Sequence, residues 1–455
     1  MARQSKAPVD MLSAPLWPSL IKYIVPLLLT GLLQLFYNAA DIAVVGRFSG
    51  PEGAQAMAAV GSTSSLIHLI VNVFLGLSAG TNVVAARALG AKDKKTVSET
   101  AHTAIAAGFI FGLGMTLVGL FFSDTFLSWM GTPNDVRPAA ALYMQIYFAG
   151  VPFSLVYNFA AALLRAAGDT KKPLYFLTLS GAANVVLNLL FVIVCKWSVA
   201  GVALATSLSQ GLAMALVLRS LKNAPDGLAL NLRRIRLYKG PFREILKIGL
   251  PAGAQSALFS LANVVIQSAI NSFQSIVMAG NAAAVNLESF VYTATNAVYQ
   301  ANLTFTSQNV GARNVKRVKA VYWHCMALTT LISAILGGVL TFGGEFLLSL
   351  YNADPAVIEA GMIRLCAIAF AYCACGWMDV TVGQLRGIGY SFVPMVLTLL
   401  GSCGLRILWV YTVFAATPTL QVLYGCFPVS WVVTFICQIV YYYLMREKKL
   451  RLLEA

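Results

Sequence analysis

The chain has 455 residues, 58% of them hydrophobic and only 11% charged. Soluble domains carry about 25% charged residues, so a water-soluble globular protein is excluded and a polytopic membrane protein is expected. The formal charge of +15, from 32 Lys and Arg against 17 Asp and Glu, would suit a nucleic-acid binder. The placement of those charges between apolar runs removes that partner and leaves the lipid bilayer.

A span needs about 20 mostly apolar residues. The pattern predicts twelve: 19–45, 54–84, 98–123, 138–164, 173–195, 199–220, 243–271, 276–308, 318–342, 358–385, 391–415 and 420–445. Residues 1–19 contain Arg3, Lys6 and Asp10 and show no separate apolar core or small-residue cleavage site, so no signal peptide is expected. The longest polar stretch contains Ala224 to Gly227 and a basic run from Asn231 to Gly240. It divides the chain into a six-helix lobe (1–220), a linker (221–242) and a second six-helix lobe (243–455). The expected fold is all-α, with twelve transmembrane helices in two pseudo-symmetric bundles.

Basic residues collect on alternate loops. They include Arg87, Lys92, Lys94 and Lys95, then Arg165, Lys171 and Lys172, then the linker, Arg313 to Lys319, Arg386 and the tail. The opposite side has Arg47, Arg137, Lys196 and Arg364, and Arg406 lies within a span. The positive-inside rule then places both termini in the cytoplasm, with the chain in the cell (plasma) membrane, an inner membrane in a cell that has two.

The halves repeat. Arg165, Gly168 and Pro173 match Arg386, Gly389 and Pro394 at a common offset of 221 residues. Pro26 and Asn38 likewise match Pro251 and Asn263, and the motif around Gly90 matches that around Gly311. Six spans per half give both halves the same orientation, related by an axis along the membrane normal, with a substrate site expected between them.

Intramembrane polar residues carry the chemistry. Span one holds Thr30, Gln34, Asn38 and Asp41 on one helical stripe, beside Tyr37. Glu288 and Asp379 are the other acids inside apolar runs. Span eight continues from Glu288 through Thr293, Asn296 and Gln300, span seven carries Asn263 and Gln267 on one face, and span five offers Asn184 and Asn188 one turn apart. Such faces are costly against lipid and suit a watery cavity, although single Asn and Gln residues also hold helices together. Desolvation favours the protonated form of a carboxylate, so an intramembrane acid can exchange a proton near neutral pH. It can equally hold Na⁺ with nearby amide and hydroxyl oxygens. The eight cysteines sit in or beside apolar runs and are expected as buried free thiols. No His/Cys spacing of a metal site or enzyme appears, so neither a catalytic metal nor a cofactor is expected.

Several stretches together resemble one family. They are Pro26 with 38–50, 86–91, 163–173, 184–188 with 201–206, and 383–394. The chain resembles the multidrug and toxic compound extrusion (MATE) transporters of NorM and DinF type. The resemblance implies a twelve-helix, two-lobe antiporter that exports small organic cations by alternating access in exchange for H⁺ or Na⁺, and a monomer is expected. It implies coupling roles for Asp41, Asn184, Asn188 and Thr206 in the first lobe, with Asn188 standing where an acid is usual. In the second lobe it implies a cation role for Asp379, and Glu288 resembles an acid of another branch. Na⁺ would bind at Asp379 or Asp41. The seventh-helix glutamate of some sodium-coupled members falls on Leu261. Gln34, Tyr37, Asn38, Asn263, Gln267, Thr293, Asn296 and Gln300 are the expected cavity lining. A flippase of lipid-linked or polysaccharide intermediates is the alternative. Three intramembrane acids against the single intramembrane cation Arg406 favour cationic cargo.

Overall fold

The structure, a computed structural model, describes the backbone of residues 8–48 and 53–454. Within lipid every backbone N–H and C=O must find a partner in its own segment, and a helix is the simplest solution. Helices α1 (Leu16–Phe48), α2 (Gly53–Gly90), α3 (Lys94–Trp129), α4 (Arg137–Ala166), α5 (Lys171–Leu189) and α6 (Ser198–Lys222) form the first half. The second half has α7 (Lys239–Asn271), α8 (Ser275–Gly311), α9 (Val315–Phe342), the short α10 (Gly344–Ser349), α11 (Pro355–Ile368), α12 (Tyr372–Ile388), α13 (Phe392–Thr398), α14 (Leu405–Trp409) and α15 (Leu420–Glu454).

Among the described residues ten segments are long and apolar enough to cross a membrane, and α11 with α12, bent by 49°, makes an eleventh. Helix α8 is the twelfth: it is 37 residues long, but its polar face holds down its mean hydropathy. Helices α13 and α14 form one span with the wide π turns Leu399–Gly404 and Val410–Phe414. Helix α5 runs into a similar turn, Leu190–Val194.

The duplication is visible in local geometry. Asp93 caps α3 by accepting from the Lys95 and Thr96 amides, both at 3.1 Å, and the Thr96 hydroxyl holds its carboxyl below the usual carboxylate range. Asn314 caps α9 by accepting from the Arg317 amide at 3.1 Å. The residues just before these caps, Lys92 and Arg313, have φ of 57° and 55°. Gly168 and Gly389, at matching ends of α4 and α12, both have positive φ. Lys92 and Arg313, and Asp93 and Asn314, differ between the copies while the backbone keeps the same turn.

The chain forms two compact units. One comprises Met1–Asp10 and Val25–Gly253, the other Met11–Ile24 and Ala254–Ala455. The boundaries fall beside Pro26 and Pro251, inside α1 and α7, and not at the linker 221–242. The linker stays with the first unit. The Asn231 amide donates to Nε2 of buried His102 at 3.0 Å, and the Tyr238 amide donates to the Thr103 hydroxyl at 3.1 Å. Two expectations on single residues change as well. Arg386, read as a loop charge, is buried in the last turn of α12. All eight cysteines are free thiols, yet Cys366 and Cys437 are exposed.

Small residues let α2 and α7 approach within the first unit. A methyl group on Gly76 would lie 2.1 Å from the Gly253 nitrogen, and one on Gly80 would lie 2.4 Å from the Ile245 carbonyl oxygen. Gly249 faces Leu77 at 2.6 Å and Gly253 faces the Val73 carbonyl at 2.1 Å. Gly76 and Gly80, Gly249 and Gly253 thus form two small-xxx-small pairs packed on each other. Backbone atoms cannot rotate aside as a side chain can. Gly76→Leu or Gly253→Val should therefore cost about 1–3 kcal/mol and lower the thermal unfolding midpoint in detergent. Gly114→Ala, where nothing lies within 4 Å, should leave the midpoint unchanged or raised.

Candidate ion and substrate site

Asp41 sits in α1, four turns beyond Pro26, where charge is costly. It closes the apolar stretch Leu16–Asp41, and a carboxylate at membrane depth is costly unless it finds partners or water. The first unit supplies compensation from α5 and α6. Asn188 Nδ2 donates to Asp41 Oδ1 at 2.5 Å, and the Thr206 hydroxyl lies 3.5 Å from Oδ2. Asn188 Nδ2 also donates to Asn184 Oδ1 at 3.2 Å, and Asn184 Nδ2 reaches the Thr206 hydroxyl at 3.4 Å. The four residues expected to act together in the first lobe therefore meet in one centre. Asn188 Oδ1 is buried there without a hydrogen-bond partner. Asn184 and Asn188 lie one turn apart on α5, so one helical face delivers both.

The packing around the centre is tight. A methyl group on Gly181 of α5 would fall 1.8 Å from Tyr37 Cζ, so the α1 ring would have to swing away for any larger residue. The Tyr37 hydroxyl donates to the Thr178 carbonyl at 3.4 Å. Beyond Thr206 lies a cavity of about 10 Å³, lined by Tyr147, Ser154, Ser207 and Gln210 among others. That is close to the smallest space that holds one water. Tyr147, Gly150, Val151 and Ser154 share one face of α4 at helical spacing, a signal that the mostly apolar run around them masked. Gln34 is exposed, and the Asn38 side chain lies outside the described residues.

The second unit does not gather its acids. Glu288 is 3% exposed and forms a bidentate pair with Arg364, Nε to Oε1 and Nη2 to Oε2, both at 2.8 Å. Arg364 Nη1 also donates to Asn281 Oδ1 at 2.9 Å, and the Tyr372 hydroxyl donates to Glu288 Oε2 at 3.3 Å. Arg364, read from sequence as a charge of the outer side, is 5% exposed in α11. The sequence signal was its position inside the apolar run 358–385. Asp379, by contrast, has no hydrogen bond or salt bridge to any described residue. Buried Arg386 is engaged elsewhere, donating to the Tyr299 hydroxyl and to Gln255 Oε1, each at 2.8 Å.

The expected lining residues of α7 and α8 divide by exposure. Asn263 and Gln267 are exposed, whereas Thr293, Asn296 and Gln300 are half-buried. Gln267 Nε2 donates to Asn271 at 2.8 Å, and Gln300 Nε2 donates to Asn296 at 2.9 Å. The half-buried row on α8 is polar without being sealed.

The closed pair gives a direct test of its structural weight. Glu288→Gln or Arg364→Met alone leaves a buried charge unpaired and should cost about 3–5 kcal/mol. The double replacement should recover much of that loss. A double-mutant cycle on unfolding midpoints measures the coupling, and additive single effects would contradict the pairing.

Twelve apolar spans in two repeated halves, with a polar centre inside one of them, define a membrane transporter of small molecules and not an enzyme. The MatE family model matches residues 26–190 and again 251–412, one match per half. The chain belongs to the MATE family. It is 29% identical over 393 residues to the probable multidrug resistance protein YpnP of Bacillus subtilis, covering 85% of this chain and 86% of that one. It is 24% identical to the probable multidrug resistance protein NorM of Thermotoga maritima, covering 84% and 82%. A FAD transporter of Shewanella oneidensis is also 24% identical, with 86% of each chain covered. The fold matches an outward-facing multidrug resistance MATE transporter with a TM-score of 0.88 at 21% identity, over 97% of this chain and 98% of that one. A MOP superfamily transporter from Pyrococcus furiosus matches with a TM-score of 0.89 at 20% identity, over 98% and 99%.

Proposed function

We propose that the chain is a secondary antiporter that exports drug-like organic cations in exchange for H⁺ or Na⁺, with Asp41 as the coupling residue. The observation that carries this reading is the Asp41 centre. Its unfilled capacity consists of acceptors: the carboxylate oxygens and the orphan Oδ1 of Asn188. Unfilled acceptors beside a carboxylate suit a cation. A proton on Asp41 satisfies the centre as well as Na⁺ does. Occupation by the ion favours the facing of the cavity in which the centre is most compact, and cargo that displaces the ion favours the other. The multidrug names of the relatives support drug export as the activity. The basic loops support a plasma-membrane protein with both termini in the cytoplasm.

Asp379 is the second candidate for a cation. With no hydrogen bond or salt bridge to a described residue it is open to one, whereas Glu288 is already neutralised by Arg364. Export of polyanionic cargo of the flippase type draws support from the buried arginines of the second unit and from the relative named for FAD.

Everted membrane vesicles with a fluorescent organic cation test the proposal under imposed pH or Na⁺ gradients. Asp41→Asn, made at normal levels, should reduce gradient-driven uptake to that of vesicles without the protein. Asp379→Asn should weaken the Na⁺ response, and Glu288→Gln should act only through stability. Parental transport by Asp41→Asn would remove Asp41 from the mechanism.

A further inference from the structure

A second polar centre lies in the second unit and has the opposite character. Arg406, on α14, is 1% exposed. Its Nε donates to the Ser430 hydroxyl at 2.9 Å, and its Nη2 is buried without a partner. The guanidinium stacks over the rings of Phe427 at 4.4 Å, Trp431 at 5.3 Å and Phe259 at 5.5 Å. Trp431 Nε1 is also buried without a partner. Both orphan groups are donors only.

Charge does not balance around them. Arg364 stacks on the same Phe427 ring, at 5.1 Å. Glu288 spends both carboxylate oxygens on Arg364. No carboxylate among the described residues lies within salt-bridge distance of Arg406. The other ionisable groups facing it are the thiols of Cys426, Cys375 and Cys403 and the phenol of Tyr372. Two guanidinium groups and one carboxylate around one ring leave a net positive charge out of water. Such a charge is costly unless paired.

The duplication sharpens the contrast. At the 221-residue offset Arg406 matches Val185, which lies between Asn184 and Asn188. The same level of the repeated helix therefore carries an acceptor centre in one unit and a donor centre in the other. In the second unit two π turns bracket the short helix that presents the arginine. Each such turn interrupts regular α geometry, a feature that recurs where side chains are re-aimed for function.

We propose that Arg406 Nη2 and the Trp431 indole N–H bind an anion in the interior of the second unit. The ligand chemistry is a compact acceptor with one negative charge. It comes either from a halide such as chloride or from the carboxylate of a zwitterionic cargo. An anion supplies what a water does not, a charge to balance Arg406. The cargo source rests on the export reading above, and the halide source does not.

The full chain in detergent is unfolded thermally in sodium chloride and in sodium gluconate at equal ionic strength. With a halide as ligand, chloride raises the midpoint saturably. Arg406→Met and Trp431→Phe abolish that rise, and Trp431→Phe keeps the ring while removing only the donor. With a cargo carboxylate as ligand, chloride has no effect. Arg406→Met then lowers export of a free-acid rhodamine while sparing its ethyl ester. If chloride has no saturable effect and the variant treats acid and ester alike, the proposal fails and Arg406 is held by Ser430 and the rings alone. A chloride shift that persists unchanged in Arg406→Met overturns it equally. Failure of the wild type to export even the ester sinks the export reading and leaves the thermal result to decide the anion site.

Discussion

A charge in the hydrocarbon interior has no solvent, so the protein must act as its solvent. Much of the polar architecture follows from that constraint. Asp41 is met by amide and hydroxyl groups from two other helices, Glu288 by a guanidinium, and Arg386 by a phenol and an amide. These solutions differ in finality. The Glu288–Arg364 pair is closed, with a guanidinium N–H on each carboxylate oxygen and its charge cancelled. The Asp41 centre is incomplete, because neutral partners hold the carboxylate without cancelling its charge. A group held in place but not neutralised is suited to take up and release an ion. A neutralised group is suited to fix a helix.

Duplication explains how one scaffold holds both solutions. The loops of the two halves keep the same backbone turns, down to residues with positive φ one position before a capping side chain. Helix ends at Gly168 and Gly389 do the same. The interiors have diverged. Val185 and Arg406 occupy matching positions, as do Asp41 and Ile266. Shape is thus conserved by turns and small residues, and charge is free to vary inside it. The unit boundaries beside Pro26 and Pro251 belong to the same symmetry. At both points a missing backbone donor loosens a helix where it passes from one compact unit into the other.

Local features were legible in the sequence. The twelve spans follow from apolar length, and the repeat follows from matched Gly, Pro and Arg positions. The cluster of Asp41, Asn184, Asn188 and Thr206 was reachable through family resemblance, and the structure brings the four together. Long-range pairing was not legible. Arg364 and Glu288 are 76 positions apart on different helices, and nothing periodic links them. Arg364 therefore passed for an outer-side charge. The tally of three acids against one intramembrane cation fails for the same reason, since Arg364 and Arg386 are both buried. The division of the units inside α1 and α7 also escaped, because composition shifts at a polar linker and not at a bend within an apolar helix. Hydropathy alone likewise undercounts α8, whose polar face is the feature of interest.

In the proposed cycle, cargo and coupling ion compete through Asp41. Equilibrium binding of a fluorescent organic cation to the purified protein, measured against pH and against Na⁺, tests it most directly. Lowering the pH or adding Na⁺ should weaken binding to the parent. The competition should be lost in Asp41→Asn while the dye still binds. Competition of unchanged strength in Asp41→Asn would remove Asp41 as the shared site.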